Sequence, residues 1–202
     1  VRRVFIATSN SGKMRDFAGA AQACGIQVTS LPNFSELPPV VEDGPTFEAN
    51  ARKKAEHYST FASGELVLAD DSGLEVDALG GAPGVISARY AAETGSENSS
   101  DAANNAKLLR ELQSVPEGKR TARFVCVIAA ARNGNTVATF RGEAAGRVLC
   151  QPRGHGGFGY DPLFYFPDLK RTFAELTPEE KAQVSHRGQA FAAFLDWMKS
   201  DQ

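Results

Sequence analysis

Thr121 to Leu149 reads TARFVCVIAAARNGNTVATFRGEAAGRVL, two long strand-like runs meeting at Asn-Gly-Asn. Asn-Gly between alternating or apolar runs is a strong short-range signal for a β-hairpin, because both residues tolerate the positive φ that a tight primed turn needs. The spacing therefore predicts strands over Thr121–Arg132 and Thr136–Leu149. Upstream, Arg3–Thr8 (RVFIAT) reads as a buried strand. Ser11–Cys24 carries Met14, Phe17, Ala18 and Ala21 at helical spacing and stops at Gly25, a good C-terminal cap. IQVTS follows as a second strand. A strand–helix–strand opening implies a parallel crossover, and the hairpin implies antiparallel pairing. Together they predict an α/β fold on a mixed sheet flanked by helices.

Between these landmarks, Leu31–Val41 holds three prolines and reads as irregular. Pro45 sits where a helix can start, and Thr46–Phe61 is its expected extent. Leu66–Asp70 and Leu74–Leu79 predict strands, with Asp-Asp-Ser-Gly between them as a turn. GGAPG (80–84) is expected to be a loop, and Ser99–Leu112 a helix with Leu108, Leu109 and Leu112 inward. Gly154–Pro162 is a glycine-rich loop leading into the short apolar run LFYF. Thr177–Glu180 (TPEE) matches a capping box with Pro at the first helical position. SHRG is expected to interrupt that helix before a last one, Gln189–Lys199, buries Phe191, Phe194, Leu195 and Met198.

Composition narrows the function classes. Of 202 residues, 42% are hydrophobic and 23% charged, ordinary for a globular protein. The longest apolar run, Phe124–Ala131, is far short of the roughly 20 residues a spanning helix needs. No charged-then-apolar leader is visible, so neither secretion nor a membrane is expected. Net charge is −2, with 22 basic and 24 acidic residues interspersed, and no basic stripe suggests a nucleic-acid partner. Cys24, Cys126 and Cys150 are isolated, which reads as reduced thiols in a cytoplasmic protein. His57, His155 and His186 have no zinc spacing.

Five stretches could carry chemistry. TSNSGK, Thr8–Lys13, lies between the first strand and the first helix. Short polar residues there leave backbone N–H groups at a helix N-terminus, and Lys13 adds a full charge, which suits a phosphate. A plain helix cap explains the same residues, and the Walker A pattern is absent. VEDGPTFEANARKKA offers Glu42 in a loop, then Asn50 and Lys54 on one helix face, with Lys53 on a solvated one. Glu42 and Asp71 together would make an oxygen-only site of the kind hard Mg²⁺ takes. In the Asp70–Asp71 doublet, successive side chains of extended backbone point opposite ways. One carboxylate can then face a cleft and deprotonate water while backbone donors hold the other. GHGGFGYDP gathers four glycines around Phe158, which could stack on a planar base whose edge Asp161 hydrogen-bonds. KAQVSHRG supplies the donors Lys181, His186 and Arg187.

In order and spacing along nearly the whole chain, these stretches resemble the inosine triphosphate pyrophosphatase family, its bacterial dITP/XTP branch above all. The matches are T-x-N-x-x-K at Thr8–Lys13, Glu42 with Gly44, N-A-x-x-K-A at Asn50–Ala55 and A-D-D-S-G-L at Ala69–Leu74. GGAPGVISARY (80–90), GGFGYDP (156–162), AELTPEEK (174–181) and SHRGQA (185–190) complete them. Ser9 departs from the glycine more usual in the family. The resemblance implies one domain over 1–202, two lobes around a central cleft on a long twisted mixed sheet, and a cytoplasmic homodimer. It implies Mg²⁺-dependent cleavage of deaminated purine nucleoside triphosphates (ITP, dITP, XTP) between the α- and β-phosphates. Thr8, Ser9, Asn10, Ser11, Gly12 and Lys13 would hold the phosphates. Glu42 and Asp71 would take the metal, with Asp71 the proton acceptor, and Ser72 would touch substrate. Phe158, Gly159, Tyr160 and Asp161 would meet the base; Lys181, His186 and Arg187 the base or the phosphates. Donors such as Arg187 or His186 aimed at O6 would favour a 6-oxo purine over adenine, which presents a donor there. A pyrophosphatase of the Maf type and a non-catalytic nucleotide-binding module are the competing readings.

Overall fold

The computed structural model describes residues 3–22, 26–92 and 98–200. The expected cap at Gly25 and the thiol of Cys24 lie outside the described residues. The opening unit forms as the apolar pattern dictates. Strand β1 (Arg3–Ile6) lies parallel to β2 (Gln27–Ser30), with helix α1 (Ser11–Gln22) between them in the chain. Phe17 and Ala21 of α1 are buried, whereas Ala18 is exposed. Helix α2 (Phe47–Ser59) starts one residue later than Pro45 suggested, because Thr46 is the cap: its hydroxyl accepts from Ala49 N–H at 3.1 Å.

Strand β3 corrects the sequence reading most clearly. It runs unbroken over Val67–Val76, straight through Asp-Asp-Ser-Gly, where a turn was expected. Turn chemistry lost to burial: both carboxylates are matched by side-chain donors, so neither needs to leave the sheet for water. The GGAPG segment is a loop that folds back on this strand, with a bridge from Pro83 to Glu75 and a cis Ala82–Pro83 peptide.

Helix α3 (Asp101–Glu111) buries Leu108, and Leu112 just past its end; Leu109 is only half-buried. Strands β4 (Thr121–Arg132) and β5 (Asn135–Val148) form the hairpin, with Asn133 at φ 50° and Gly134 at φ 82° in its two-residue turn. LFYF yields β6 (Phe164–Phe166), and β7 (Arg171–Thr172) is a strand the sequence did not announce. Helix α4 (Pro178–Val184) carries the expected capping box, with Glu180 N–H on Thr177 Oγ1 at 3.2 Å and Thr177 N–H on Glu180 Oε2 at 2.9 Å. Helix α5 (His186–Ser200) begins at His186, three residues before Gln189, because Ser185 Oγ accepts from Gly188 N–H at 3.0 Å and caps it.

The seven strands form one mixed sheet in the order β2-β1-β3-β4-β5-β6-β7, parallel from β1 to β2 and to β3, antiparallel from β5 to β6 and β6 to β7. The chain divides into two compact units. The first holds residues 1–71, 126–143 and 182–202, and the second 72–125 and 144–181. In the first, Val4, Ile6, Leu68 and Ile128 of the sheet pack on Phe17 and on Phe191 and Phe194 of α5. In the second, Phe124, Phe164 and Phe173 form an aromatic core, with Phe124 and Phe164 centroids 4.6 Å apart. No described helix is long and apolar enough to cross a membrane.

Candidate active site

In the first unit, β3 sends its two carboxylates to opposite faces, as pleated backbone requires. Asp70 meets Lys13 Nζ of α1 at 3.0 Å and Arg187 Nη2 of α5 at 3.5 Å. Asp71 meets Asn50 Nδ2 at 3.0 Å and Lys54 Nζ at 3.8 Å, both on α2. The two carboxylates thus have different nearest cations, and Asp70 is held by the side chains of Lys13 and Arg187. Burial opposes its ionisation, but Lys13, Arg187 and Lys54 outweigh that and hold the carboxyl well below the usual range.

Asp71 is pushed the other way. Burial raises its carboxyl to about 6, with the nearby Glu42 adding to the effect while Lys54, Lys13 and Asn50 resist it. A carboxylate titrating near neutrality in contact with a buried cation is poised for proton transfer. Lys54 Nζ also pairs with Glu42 Oε2 at 2.7 Å, so one ammonium serves both carboxylates. Burial works against the Lys54 charge, and Asp71, Glu42 and Asp70 more than offset it. Asn50, fully buried, aligns the set: its Oδ1 accepts from Gly44 N–H at 2.7 Å, which turns its amide nitrogen toward Asp71. Gly44 must be glycine, since a Cβ there would stand 2.6 Å from Asn50 Oδ1.

The segment Thr8–Lys13 turns from β1 into α1. Asn10 caps the helix, with its Oδ1 accepting from Lys13 N–H at 3.0 Å, and Thr8 Oγ1 accepts from Asn10 N–H at 3.2 Å. Ser9, Asn10 and Ser11 are exposed and Gly12 is buried. The helix cap therefore leaves exposed polar side chains at the α1 N-terminus. Arg187 makes two ion pairs within this unit. Its side chain is 2% exposed, with Nη1 on Asp16 Oδ2 at 2.7 Å and Nη2 on Asp70. In this arrangement it ties α5 to α1 and β3. His186 is buried beside it at the start of α5.

The second unit assembles the glycine loop. Asp161 Oδ2 accepts from Phe158 N–H at 3.0 Å and from Lys181 Nζ at 2.7 Å, and that pair is almost wholly buried. Lys181 Nζ lies 4.9 Å from the Phe158 ring centroid, within cation–π reach. Gly157 makes this possible: at φ +70° its missing Cβ leaves room for a carboxylate oxygen that would be 2.0 Å from it. Phe158 and Gly159 are half-buried, and Tyr160 is buried with its hydroxyl donating to Ser87 O at 2.7 Å. Ser72, half-buried, follows Asp71 in β3 and opens this unit.

The structure thus brings together Lys13, Glu42, Asp71 and Arg187 in one unit and Phe158, Asp161 and Lys181 in the other. Asn50 and Lys54 were visible as an i, i+4 pair but had been given no role. Asp16 had no sequence signal, since its partner lies 171 positions away. Among the described residues no three His, Cys, Asp or Glu side chains converge as a metal cluster. The Glu42–Asp71 pair is a two-carboxylate site, which suits a hard ion that completes its shell with water and phosphate oxygens.

The sequence model of the Ham1 family matches residues 4–197. A dITP/XTP pyrophosphatase of Desulforamulus reducens is 53% identical over 194 residues, covering 96% of this chain and 94% of the relative. Among solved structures, the Staphylococcus aureus Ham1 protein superposes with a TM-score of 0.83 at 40% identity, covering 100% of both chains. The nucleoside-triphosphatase, or dITP/XTP pyrophosphatase, of Mycobacterium abscessus gives 0.71 at 40% identity, covering 96% and 98%.

Proposed function

We propose that this chain, which belongs to the Ham1 family, is a nucleoside triphosphate pyrophosphatase that converts dITP, XTP and ITP to the monophosphate and pyrophosphate. The observation that carries the reading is Asp71: a buried carboxyl raised to about 6, sharing the Lys54 ammonium with a second carboxylate, Glu42.

Thr8–Lys13 binds the phosphates through the exposed polar residues and the α1 N-terminus, whose partial positive charge favours an anion. Asp70 fixes the Lys13 ammonium, which also acts electrostatically on Asp71, so that it can counter charge that develops on the transferred phosphoryl group. Glu42 and Asp71 fit Mg²⁺ as hard oxygen donors already facing one cation, the Lys54 ammonium. A Mg²⁺ ion held by Glu42 and Asp71 would supply Lewis-acid polarisation of the phosphate oxygens. Asp71 takes a proton from the attacking water, the hydroxide oxygen bonds to the α-phosphorus, and pyrophosphate leaves with the electrons of the α–β bridge. Asn50 holds Asp71 oriented throughout.

The second unit takes the base. Phe158 offers a ring face for stacking, and Ser72 a hydroxyl. Lys181, held on Asp161, presents a donor beside that ring, which suits O6 of a 6-oxo purine and leaves adenine's N6 amino group unmatched. Arg187 acts as a brace through Asp70 and Asp16, with His186 buried beside it. The reading carries with it a homodimer and a cytoplasmic place of action. Its test is pyrophosphate release from ITP, XTP, dITP, GTP, ATP and a modified pyrimidine triphosphate, with and without Mg²⁺. Strong release from the first three alone, abolished without the ion, supports it. Preference for the pyrimidine moves the protein toward Maf-type chemistry, and tight binding without turnover makes it a binding module.

A further inference from the structure

One face of α3 grips the peptide backbone on both sides of Gly159. Asp101 Oδ2 accepts from Gly159 N–H at 2.7 Å, and Asn105 Nδ2 donates to Gly159 O at 3.0 Å. The two side chains stand at i and i+4, one above the other on the helix. Gly159 N and Gly159 O belong to successive peptide planes, the planes that a glycine would otherwise leave freest to rotate. Gly159 sits at φ +61° with open space where a Cβ would be, so it answers to backbone conformation and not to crowding. The plane on its N-terminal side begins at Phe158.

The helix that does the gripping is itself anchored. Ser100 caps it through Ala103 N–H at 3.1 Å, and Leu108 is fully buried. Asn104 accepts from Ala91 N–H at 2.8 Å and donates to Ala88 O at 3.2 Å, while Lys107 Nζ reaches Tyr90 O at 2.8 Å. The same 84–91 segment receives the Tyr160 hydroxyl at Ser87 O. The loop is therefore referenced to one rigid frame through Asp101, Asn105 and Tyr160, while Asp161 and Lys181 hold its other side.

We propose that Asp101 and Asn105 are positioning residues that set where the Phe158 ring stands, and so tune affinity for the base of the nucleotide without touching it. This rests on the reading that Phe158 meets the base. The test is calorimetric binding of two probes in the presence of Mg²⁺, inosine monophosphate and inorganic pyrophosphate. It is run on Asp101→Ala, Asn105→Ala, Asn105→Asp and Phe158→Ala, with Asp101→Asn as the conservative variant that keeps an acceptor. Losing one charged or amide hydrogen bond of this grip weakens the monophosphate about tenfold and leaves pyrophosphate within about twofold. In turnover, KM for ITP rises by a similar factor with kcat nearly unchanged, and Asp101→Asn restores most of the loss. Asn105→Asp keeps the size of the side chain while removing the donor, so it reports the bond even if the alanine variant folds poorly. Weakened monophosphate binding in Phe158→Ala alone overturns the grip and leaves the base site standing. No effect in Phe158→Ala overturns both. Equal losses on the two probes reduce Asp101 and Asn105 to general scaffolding and overturn the proposal.

Discussion

Replacing Arg187 by Met separates a brace from a base reader. The guanidinium is 2% exposed and pairs with Asp16 at 2.7 Å and Asp70 at 3.5 Å, while Asp16 is 18% exposed. Removing one member of a buried ion pair costs about 3–5 kcal/mol, because the partner keeps its desolvation penalty. Asp70 retains Lys13 at 3.0 Å and Asp16 can recruit water, which places this variant near the low end, about 3 kcal/mol. Methionine fills much of the apolar space over Phe17, whose centroid is 5.9 Å from the guanidinium carbon, so a cavity adds little. For a chain of this length each kcal/mol lowers Tm by about 2–4 °C, so the melting point falls by about 6–12 °C. Denaturant unfolding, thermal melts and steady-state turnover on ITP and ATP are the assays. Turnover falls by similar factors on both nucleotides, since what is lost is the bracing of Asp70 and Lys13. Stability unchanged within about 0.5 kcal/mol, together with a collapse of the ITP preference, would refute the reasoning and put the guanidinium on the base.

Asp71→Asn removes the proton acceptor and lowers kcat by about 10²–10⁴-fold. The folded carboxyl titrates at about 6 against the ordinary 3.8, so the native state holds the proton more tightly than the unfolded one. Its contribution to stability is complete below the unfolded value and is lost as pH rises through about 6. The asparagine variant escapes that loss, so unfolding measured from acid to neutral pH shows it gaining on the parent across that window. Glu42→Gln takes away one of two carboxylate donors and raises the Mg²⁺ concentration for half-maximal rate about tenfold or more, read by metal titration. Gly157→Ala drives a Cβ to 2.0 Å from Asp161 Oδ2 at a φ of +70°. The resulting break of the Asp161–Lys181 pair raises KM for ITP about tenfold or more with a smaller change in kcat, checked by initial-rate kinetics.

The parts of the fold that follow from local chemistry were legible beforehand. Asn133–Gly134 announced the hairpin, Thr177-Pro-Glu-Glu the start of α4, and the apolar spacing the β1–α1–β2 crossover. What failed were readings that a distant partner reverses. Asp-Asp-Ser-Gly is turn chemistry until Lys13, Arg187, Asn50 and Lys54 arrive from α1, α5 and α2, and no local window contains them. SHRG reads as a helix interruption, yet α5 starts within it, and the missing Cβ of Gly188 is what the fold needs there, since that atom would lie 1.8 Å from Ala182 O. Strand β7 is two residues long, too short to leave any periodicity. In the site, residue types that match a motif were readable, but their orientation was not. That Arg187 lies buried against Asp16, and that one ammonium joins Glu42 to Asp71, are facts of packing.

The central claim is that water, activated by Asp71, attacks the α-phosphorus of a 6-oxo purine triphosphate. Turnover of ITP in ¹⁸O-labelled water, with the products read by mass spectrometry, tests it directly. The account predicts a single labelled oxygen in inosine monophosphate and none in pyrophosphate. Label in pyrophosphate, or release of orthophosphate and inosine diphosphate, would contradict it.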